Sequence, residues 1–202
     1  MLLFGKKEKL LLNKLNTPAK AQDFLNKLLF NFEKSGETLK SPIFSLRAGS
    51  AHCFEGALLG AYILSQHGFT PYLMHLGAIK GDYDHVIAPF KIRGLWGALS
   101  KTNHAVLRYR EPIYKNIHEL ALSYFHEYFL DDGRKTLRQY SALFNLNKLG
   151  RDWIATKGNL WWLDKKLDKI KHYDIVPKFY IKKLRKADRI EIKAGKIIEY
   201  KK

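Results

Sequence analysis

The sequence predicts an α+β fold. Residues 52–66 are apolar on nearly every side, as in a helix covered on most of its faces. Three short β-prone runs separated by turn residues follow this helix, at 71–79, 85–90 and 95–100. Helical patterns flank this unit on both sides. We therefore expect a buried helix packed on a small antiparallel sheet, with additional helices around them.

The first helix is predicted over residues 18–31. Thr17 is a favourable N-cap and Pro18 suits the first helical position. Apolar side chains then recur at helical spacing, at Ala21, Phe24, Leu25 and Leu28. The polar stretch 33–42 predicts a loop before the central helix.

The central helix over residues 52–66 contains small residues that let another backbone approach closely, namely Gly56, Ala57, Gly60 and Ala61. Gly68 is a natural stop just past its end. The last two β-prone runs are predicted to pair as a hairpin around Arg93-Gly94.

The second half of the chain predicts two more helices and a hairpin. A helix is expected from Pro112, with one apolar stripe at Ile113, Ile117, Leu120, Ala121, Tyr124 and Tyr128. Residues 159–173 predict an amphipathic helix with its tryptophans on the buried side. Residues 189–200 alternate apolar and polar side chains about a glycine, which favours a terminal hairpin.

The length of 202 residues suits a single domain with a sizeable core. We expect the functional core at about residues 45–103. A helical segment at 17–44 precedes it, and a helical segment with the probable hairpin follows at 104–202. Charges interrupt the N-terminal apolar residues too early for a signal peptide, and no apolar run is long enough to span a bilayer. With one cysteine no internal disulfide forms, so the sequence predicts a cytoplasmic protein.

The formal net charge of +17 is compatible with nucleic acid or another acidic partner. However, the chain has 27 lysines and 9 arginines, whereas phosphate and base recognition relies more on arginine. The basic residues are also spread along the chain. Nucleic-acid binding therefore stays a secondary interpretation beside a solvated basic surface.

The single cysteine, Cys53, stands where a glycine-serine loop turns into the apolar central helix. A helix N-terminus stabilises a thiolate through its unpaired amides and dipole, and the same amides can hold an oxyanion. The alternative is that Cys53 is a small core residue. His52 is interpreted as structural, and Glu55 as a carboxylate that either complements the helix dipole or faces the thiol.

A histidine and two polar residues are candidates to complete a catalytic set. His85 begins the second predicted strand, and pairing across the hairpin puts residue 85 opposite residue 100, within a residue or so. Ser100 would then lie beside the imidazole, and Asn103 follows one short step beyond. Either can orient the ring. A metal site formed by Asp82, Asp84 and His85 is not favoured, because residue 85 points away from the other two in an extended segment.

The pattern cysteine-x-acid-x-alanine at Cys53, Glu55 and Ala57 opens the buried helix, and the glycine-apolar-x-proline step at 68–71 leads into the first strand. These features resemble the transglutaminase-like branch of the papain-like cysteine fold. In that family, three antiparallel strands follow the helix. Residues 100–114 and 121–129 are similar to an uncharacterised bacterial branch.

The resemblance extends to the strands. His85 with Val86 resembles the family's histidine strand, and Trp96 followed by Ser100 resembles its tryptophan strand. The family usually has aspartate where this chain has Ser100. Asn103 is the residue type that papain-like proteases use for the same role.

The resemblance implies a cysteine-dependent acyl-transfer enzyme with Cys53 as nucleophile, His85 as base and acid, and Ser100 or Asn103 as the orienting group. Its substrate would be a peptide or protein amide, and no cofactor is required. The neutral residue at position 100 keeps a second interpretation open. The same fold would then be catalytically inactive and would bind nucleic acid or an acidic partner through its basic surface.

Overall fold

The computed structural model describes residues 4–201. Within this range the helices are α1 Lys6–Lys14, α2 Pro18–Lys27, α3 Pro42–Ala48, α4 Cys53–Ser65, α5 Ile117–Leu122, α6 Asp152–Ala155, α7 Trp161–Lys169 and α8 Arg189–Gly195. The strands are β1 Leu29–Phe30, β2 Ser50–Ala51, β3 Tyr72–Ala78, β4 His85–Ile92, β5 Leu95–Leu99, β6 Arg110–Tyr114, β7 Leu137–Ser141, β8 Phe144–Asn145 and β9 His172–Asp174. Three 3₁₀ turns lie at 125–127, 146–149 and 178–183.

The main sheet is antiparallel and has the order β6-β5-β4-β3-β7-β9, with β8 pairing beside β7 on β3. It is larger than the small sheet predicted, because strands from the second half of the chain extend it. The predicted α+β architecture is confirmed: the helix that carries Cys53 packs on an antiparallel sheet, chiefly against β4. The succession of α4, β3, β4 and β5 is the one that the resemblance to transglutaminase-like proteins implies.

Both faces of the sheet are covered. Along β4, Val86, Ala88 and Phe90 join the core around α4, whereas Ile87 between them joins a second core on the other face. This alternation follows from the two-residue period of a strand. Since α5 contributes to the second core, the strand that begins at His85 is held from both sides.

The small residues of α4 lie where the end of β5 approaches the helix. A Cβ atom on Gly56 would lie 2.3 Å from Lys101 Cβ, and one on Gly60 would lie 2.9 Å from Leu99 Cδ1. The expected close approach is therefore observed, and it brings the segment after β5 against the first turns of α4.

The β4–β5 hairpin forms at the predicted place with a shifted register. Ile92 pairs with Leu95, so the loop contains only Arg93 and Gly94, both with positive φ. This two-residue loop is the preferred connection for twisted antiparallel strands. In the predicted register residue 85 lies opposite residue 100, and the observed pairing is shifted from it by two residues. His85 and Ser100 are still in contact, through their side chains.

Helix α2 is shorter than predicted. It ends at Lys27, because the backbone turns extended at Leu28 and residues 29–30 pair in parallel with β2. The short helices α1 and α3 were not predicted.

The helix predicted from Pro112 is wrong at its beginning. Residues 110–114 form β6, where Ile113 is exposed, and the helix begins only at Ile117 after its Asn116 cap. In α7 the buried residues are Leu163 and Leu167, and Trp162 packs partly buried against the core. Trp161 is 37% exposed, so the predicted burial is wrong for this tryptophan.

The terminal hairpin predicted over residues 189–200 is wrong. Residues 189–195 form α8, whose start is fixed by Asp188 and Glu191 in a capping box. The Asp188 amide donates to the Glu191 carboxylate at 2.6 Å. Reciprocal capping favours a helix over the strand suggested by the alternating side chains. In residues 4–201 no helix is both long and apolar enough to cross a membrane.

Candidate functional site

The candidate site begins at the N-terminus of α4. His52 is its N-cap residue in an extended conformation, and its Nδ1 accepts the Phe54 amide at 3.2 Å. Cys53 is therefore the first residue of the helix, where backbone amides have no partner within the helix. Its side chain is partly exposed.

His85 lies at the start of β4 and is tied to Ser100. The His85 Nε2 atom is 2.7 Å from Ser100 Oγ, and the Ser100 hydroxyl donates to the Leu107 carbonyl at 2.5 Å. Because the serine proton is used on that carbonyl, Ser100 Oγ accepts from His85, whose proton lies on Nε2. This leaves His85 Nδ1 as the nitrogen with a free lone pair.

Gln22 holds the backbone of Ser100 in place. The Ser100 amide donates to Gln22 Oε1 at 2.9 Å, and Gln22 Nε2 donates to the Ser100 carbonyl at 2.7 Å. Gln22 is buried on α2 and is steadied by Asn26. Nothing in the local sequence around Gln22 identifies this role, because the two residues are 78 positions apart.

Asn103 is placed differently from Ser100. Its Nδ2 donates to the Tyr200 carbonyl at 2.9 Å, and its Oδ1 accepts the Tyr200 amide at 2.8 Å. The Asn103 amide group thus holds the C-terminal segment. Of the two predicted orienting residues, Ser100 is the one in contact with the His85 ring.

The thiol of Cys53 is electrostatically coupled to two imidazoles, those of His52 and His85. Burial opposes its ionisation, but the polar interactions with these two rings outweigh burial and lower the pKa of Cys53 to about 5. A free thiol has a pKa of about 8.5. The site therefore favours the thiolate at neutral pH.

The ring of His52 has the contacts of a structural residue, since it caps α4 and its Nε2 lies 2.9 Å from the Thr38 carbonyl. Burial lowers the pKa of His52, but the hydrogen bond and charge of Cys53, and then the charge of Glu55, outweigh burial and raise it to about 9. The sequence signal for this arrangement is the spacing of His52 and Glu55, at N-cap and third helical positions.

Glu55 is fully buried and joins α4 to the loop at residues 31–40. Its carboxylate accepts the His52 amide at 3.2 Å, and three further hydrogen bonds come from Asn31 Nδ2, Thr38 Oγ1 and the Lys40 amide. Burial opposes ionisation, but the His52 charge and these hydrogen bonds lower the pKa of Glu55. Glu55 is thus a carboxylate that contacts the ring beside the thiol.

A hydrogen-bonded chain of polar side chains lies beside the start of β4. Asp84 accepts the Ala78 amide at 2.7 Å, and its other oxygen is 3.1 Å from His75 Nε2. His75 Nδ1 is in turn 2.9 Å from His172 Nε2. These contacts anchor the residue that immediately precedes His85.

Asp164 on α7 is electrostatically coupled to the thiol. Burial raises the pKa of Asp164, and the negative charges of Asp168, Asp84 and Cys53 raise it further, against the opposing effect of His75. Among residues 4–201, no group of three histidine, cysteine or acidic side chains has a geometry that could hold a metal ion.

Comparison with solved structures gives a distant likeness. No protein-family model matches the sequence, and a search of curated proteins found no match. Among solved structures, the chain is similar to Legionella pneumophila LapG (EGTA-treated), with 12% sequence identity and a TM-score of 0.45. The similarity covers 74% of this chain and 87% of that chain. The function is therefore argued from the site itself.

Proposed function

We propose that this protein is a cysteine-dependent acyl-transfer enzyme of the transglutaminase-like kind. Cys53 is the nucleophile, His85 the general base and acid, and Ser100 the group that orients His85. The reaction class is amide hydrolysis, deamidation or transamidation through a thioester.

One observation carries this proposal. A thiol stands first on a helix and is electrostatically coupled to the imidazole of His85, whose Nε2 is fixed at 2.7 Å by Ser100 Oγ. A nucleophile, a base and an orienting group in this sequence of contacts are what covalent catalysis by cysteine requires. A core cysteine has no need of a buried histidine with a fixed tautomer.

The chemistry follows from these positions. The Cys53 thiolate adds to the carbonyl carbon of an amide, and the oxyanion is stabilised by the first amides of α4. The C–N bond then breaks, and the leaving nitrogen takes a proton from an imidazolium. Water or an amine, deprotonated by neutral His85, adds to the thioester, and Sγ leaves as the thiolate.

The neutral orienting group distinguishes this site from an acid-containing triad. Ser100 fixes the ring of His85 but contributes no negative charge to an imidazolium. Asn103, the other candidate, uses both polar groups of its side chain on Tyr200. Ser100 is therefore the orienting residue of the proposal.

A peptide or protein amide is the proposed substrate. The net charge of +17 suggests an acidic substrate.

The proposal is tested by trapping the acyl-enzyme. The folded protein is mixed with an activated acyl ester, quenched in acid and analysed by intact-mass and peptide mass spectrometry. We expect one acyl group on Cys53, no adduct in Cys53→Ala, and slower turnover in His85→Gln. A thiol that reacts only after unfolding would exclude the enzyme.

The neutral residue at position 100 also favours a second candidate, a catalytically inactive binding module. Exposed basic residues are frequent in the C-terminal segment at 178–193, which offers a surface for an acidic partner. Such a module predicts binding to nucleic acid that weakens steeply as salt increases, together with an inert thiol. Fluorescence anisotropy with labelled single-stranded DNA and the acylation assay separate the two candidates.

A further inference from the structure

Ser100 differs from an aspartate at the same position because a hydroxyl can donate as well as accept. An ionised carboxylate only accepts, so it selects one histidine tautomer without further support. If the Ser100 proton points away from the ring, Oγ accepts from His85 Nε2. If it points toward the ring, Nε2 must accept and the ring proton lies on Nδ1, which then cannot act as a base. A serine that orients His85 therefore needs a second partner to take its proton.

The Leu107 carbonyl is that partner. It accepts the Ser100 hydroxyl at 2.5 Å, while Ser100 Oγ lies 2.7 Å from His85 Nε2. Ser100 and Leu107 belong to the same connection, the loop at residues 100–109 between β5 and β6. The direction of the hydroxyl proton thus depends on the backbone conformation of Leu107.

Leu107 has a backbone conformation that leucine rarely adopts. Its φ is 60°, in the left-handed region, where the Cβ atom crowds the backbone. Such a conformation persists only where the surrounding contacts hold it. A return to an ordinary conformation would change the angle between the Leu107 amide and carbonyl, so the contacts of both groups could not be kept together.

Glu127 holds Leu107 by its amide. The Leu107 amide donates to Glu127 Oε2 at 2.6 Å, and Glu127 Oε1 lies 2.6 Å from Arg110 Nη2. Arg110 is itself fixed, because its Nε donates to the Ser123 hydroxyl at 3.0 Å and its Nη2 to the Ser123 carbonyl at 3.1 Å. Its guanidinium carbon also lies 4.0 Å from the centre of the Tyr124 ring. The carboxylate that fixes Leu107 is therefore held in place on its other side.

We propose that Glu127 is a positioning residue of the site: through Leu107 it directs the proton of the Ser100 hydroxyl and keeps His85 in the Nε2–H tautomer. This inference rests on the proposed function and deepens it, because it accounts for a neutral orienting residue where an acid would need no support. Glu127 acts on the backbone of Leu107 and not on the reacting atoms.

The first test is a double-mutant cycle with Ser100. Acylation and deacylation are followed with p-nitrophenyl acetate, whose leaving group needs no proton. The state of the thiol is followed by the iodoacetamide alkylation rate between about pH 4 and pH 10. Glu127→Ala should slow deacylation by about tenfold, which is part of what a general base contributes, with the alkylation midpoint nearly unchanged.

In the Ser100→Ala background, Glu127→Ala should change deacylation by less than about twofold, because no hydroxyl is left to position. An equal loss in both backgrounds would overturn the inference, since Glu127 would then act on the site by another route.

Two further variants separate this role from general support of the fold. Glu127→Gln keeps an oxygen that can accept the Leu107 amide, so its deacylation should be several times faster than that of Glu127→Ala. Glu111→Ala is the matched control, because Glu111 is exposed on β6 and its carboxylate contacts the Tyr109 hydroxyl at 3.3 Å. It should behave as wild type. A Glu127→Gln variant as slow as Glu127→Ala would contradict the role of the hydrogen bond to Leu107.

The backbone of Leu107 offers a rescue. Asparagine adopts the left-handed region more readily than leucine, so adding Leu107→Asn to Glu127→Ala should recover part of the lost deacylation rate. Valine is β-branched and disfavours this region, so adding Leu107→Val should give no recovery. Equal rates with asparagine and valine, in variants that unfold at similar temperatures, would show that the conformation of Leu107 is not the link.

A spectroscopic measurement tests the inference without turnover. Imidazole ¹⁵N chemical shifts distinguish the two neutral tautomers of histidine. His85 of the wild-type protein should be the Nε2–H tautomer, and Glu127→Ala should increase the share of the Nδ1–H tautomer. An unchanged tautomer in Glu127→Ala would overturn the inference while the enzyme proposal stands. If no acyl-enzyme forms in the wild-type protein, the enzyme proposal fails, and the tautomer of His85 still decides the role of Glu127.

Discussion

His85 Nε2 lies 2.7 Å from Ser100 Oγ, and the Ser100 hydroxyl is itself fixed by the Leu107 carbonyl. A serine held in this way acts only as an acceptor, so it selects one tautomer of His85 and leaves Nδ1 unprotonated. The contact therefore supplies orientation without charge.

Removing the Ser100 hydroxyl should therefore affect acyl transfer more than thiol ionisation. Ser100→Ala frees the His85 ring, so that Nδ1 is no longer held in one orientation. We expect deacylation to slow by about 10–100-fold, which is part of what a general base contributes, with the alkylation midpoint nearly unchanged. Ser65→Ala, at the far end of α4, is the control and should behave as wild type. A shift of more than about one pH unit in the alkylation midpoint would contradict this separation.

The pH dependence of amide hydrolysis should be bell-shaped. Activity rises as Cys53 ionises, with a limb near its pKa of about 5, and falls at alkaline pH as the imidazolium that protonates the leaving nitrogen loses its proton. The measurement is kcat/KM for a peptide amide across the pH range. With the p-nitrophenyl ester the alkaline limb should disappear from the acylation step, because that leaving group departs without a proton. Persistence of the limb with the ester would assign it to another group.

Glu55→Gln should destabilise the fold. The variant loses a buried charge that accepts four hydrogen bonds, and such losses cost about 2–4 kcal/mol in the free energy of unfolding. Because the pKa of Glu55 is lowered in the folded state, its contribution is present above the unfolded value of about 4.3 and is lost as the pH falls through the folded pKa.

Urea denaturation at several pH values measures this effect. The gap between wild type and Glu55→Gln should be constant near neutral pH and should narrow only below about pH 4.3. Glu37→Gln, an exposed change in the same loop, should leave stability within about 0.5 kcal/mol. A gap that instead narrows as the pH rises would show that the carboxylate is protonated in the folded protein.

Local sequence patterns were sufficient to predict the position of Cys53 in the site, because this residue depends on one helix only. A glycine-serine loop before an apolar run correctly placed Cys53 at the start of α4, because helix starts have strong local signals. The pairing of Gln22 with Ser100 has no such signal, since it depends on how α2 packs against the end of β5. The capping of α4 by the His52 ring was not predicted, because histidine is not among the preferred N-cap residues.

The alternation of apolar and polar residues near the C-terminus did not predict the secondary structure correctly. Residues 189–195 alternate apolar and polar side chains over too few positions to distinguish a strand from a helix. The Asp188–Glu191 capping box, which is also readable in the sequence, decides for the helix. Capping pairs therefore deserve more weight than alternation in segments this short.

Gly56→Ala should damage both stability and the site. The new Cβ would lie 2.3 Å from Lys101 Cβ and 2.9 Å from its Cγ, so the segment after β5 must move. Overpacking costs about 1–3 kcal/mol, which exceeds the gain of up to about 1 kcal/mol in helix propensity. Since Lys101 follows Ser100, deacylation should slow as well. Thermal unfolding and the ester assay measure the two effects, and Gly158→Ala, which has open space around it, is the control.

Lys101→Met should stabilise the protein at neutral pH. Lys101 is 1% exposed, its Nζ donates to the Leu28 carbonyl at 2.6 Å, and it lies 5.5 Å from the centre of the Tyr200 ring. Burial lowers its pKa to about 8, so the folded state disfavours the charged form. Methionine fills a similar volume with no charge to desolvate, and replacing buried charges by apolar groups is often stabilising by about 1–4 kcal/mol.

The pH dependence identifies the cause of this gain. A lysine whose folded pKa is lowered costs stability most fully below that pKa, and the cost disappears as the pH rises to the unfolded value of about 10.4. The advantage of Lys101→Met in urea denaturation should therefore be largest below about pH 8 and vanish near pH 10.4. Lys182→Met, on an exposed lysine, should show no such advantage. A Lys101→Met variant that is less stable at every pH would mean that the contacts of the ammonium with Leu28 and Tyr200 outweigh the desolvation of its charge.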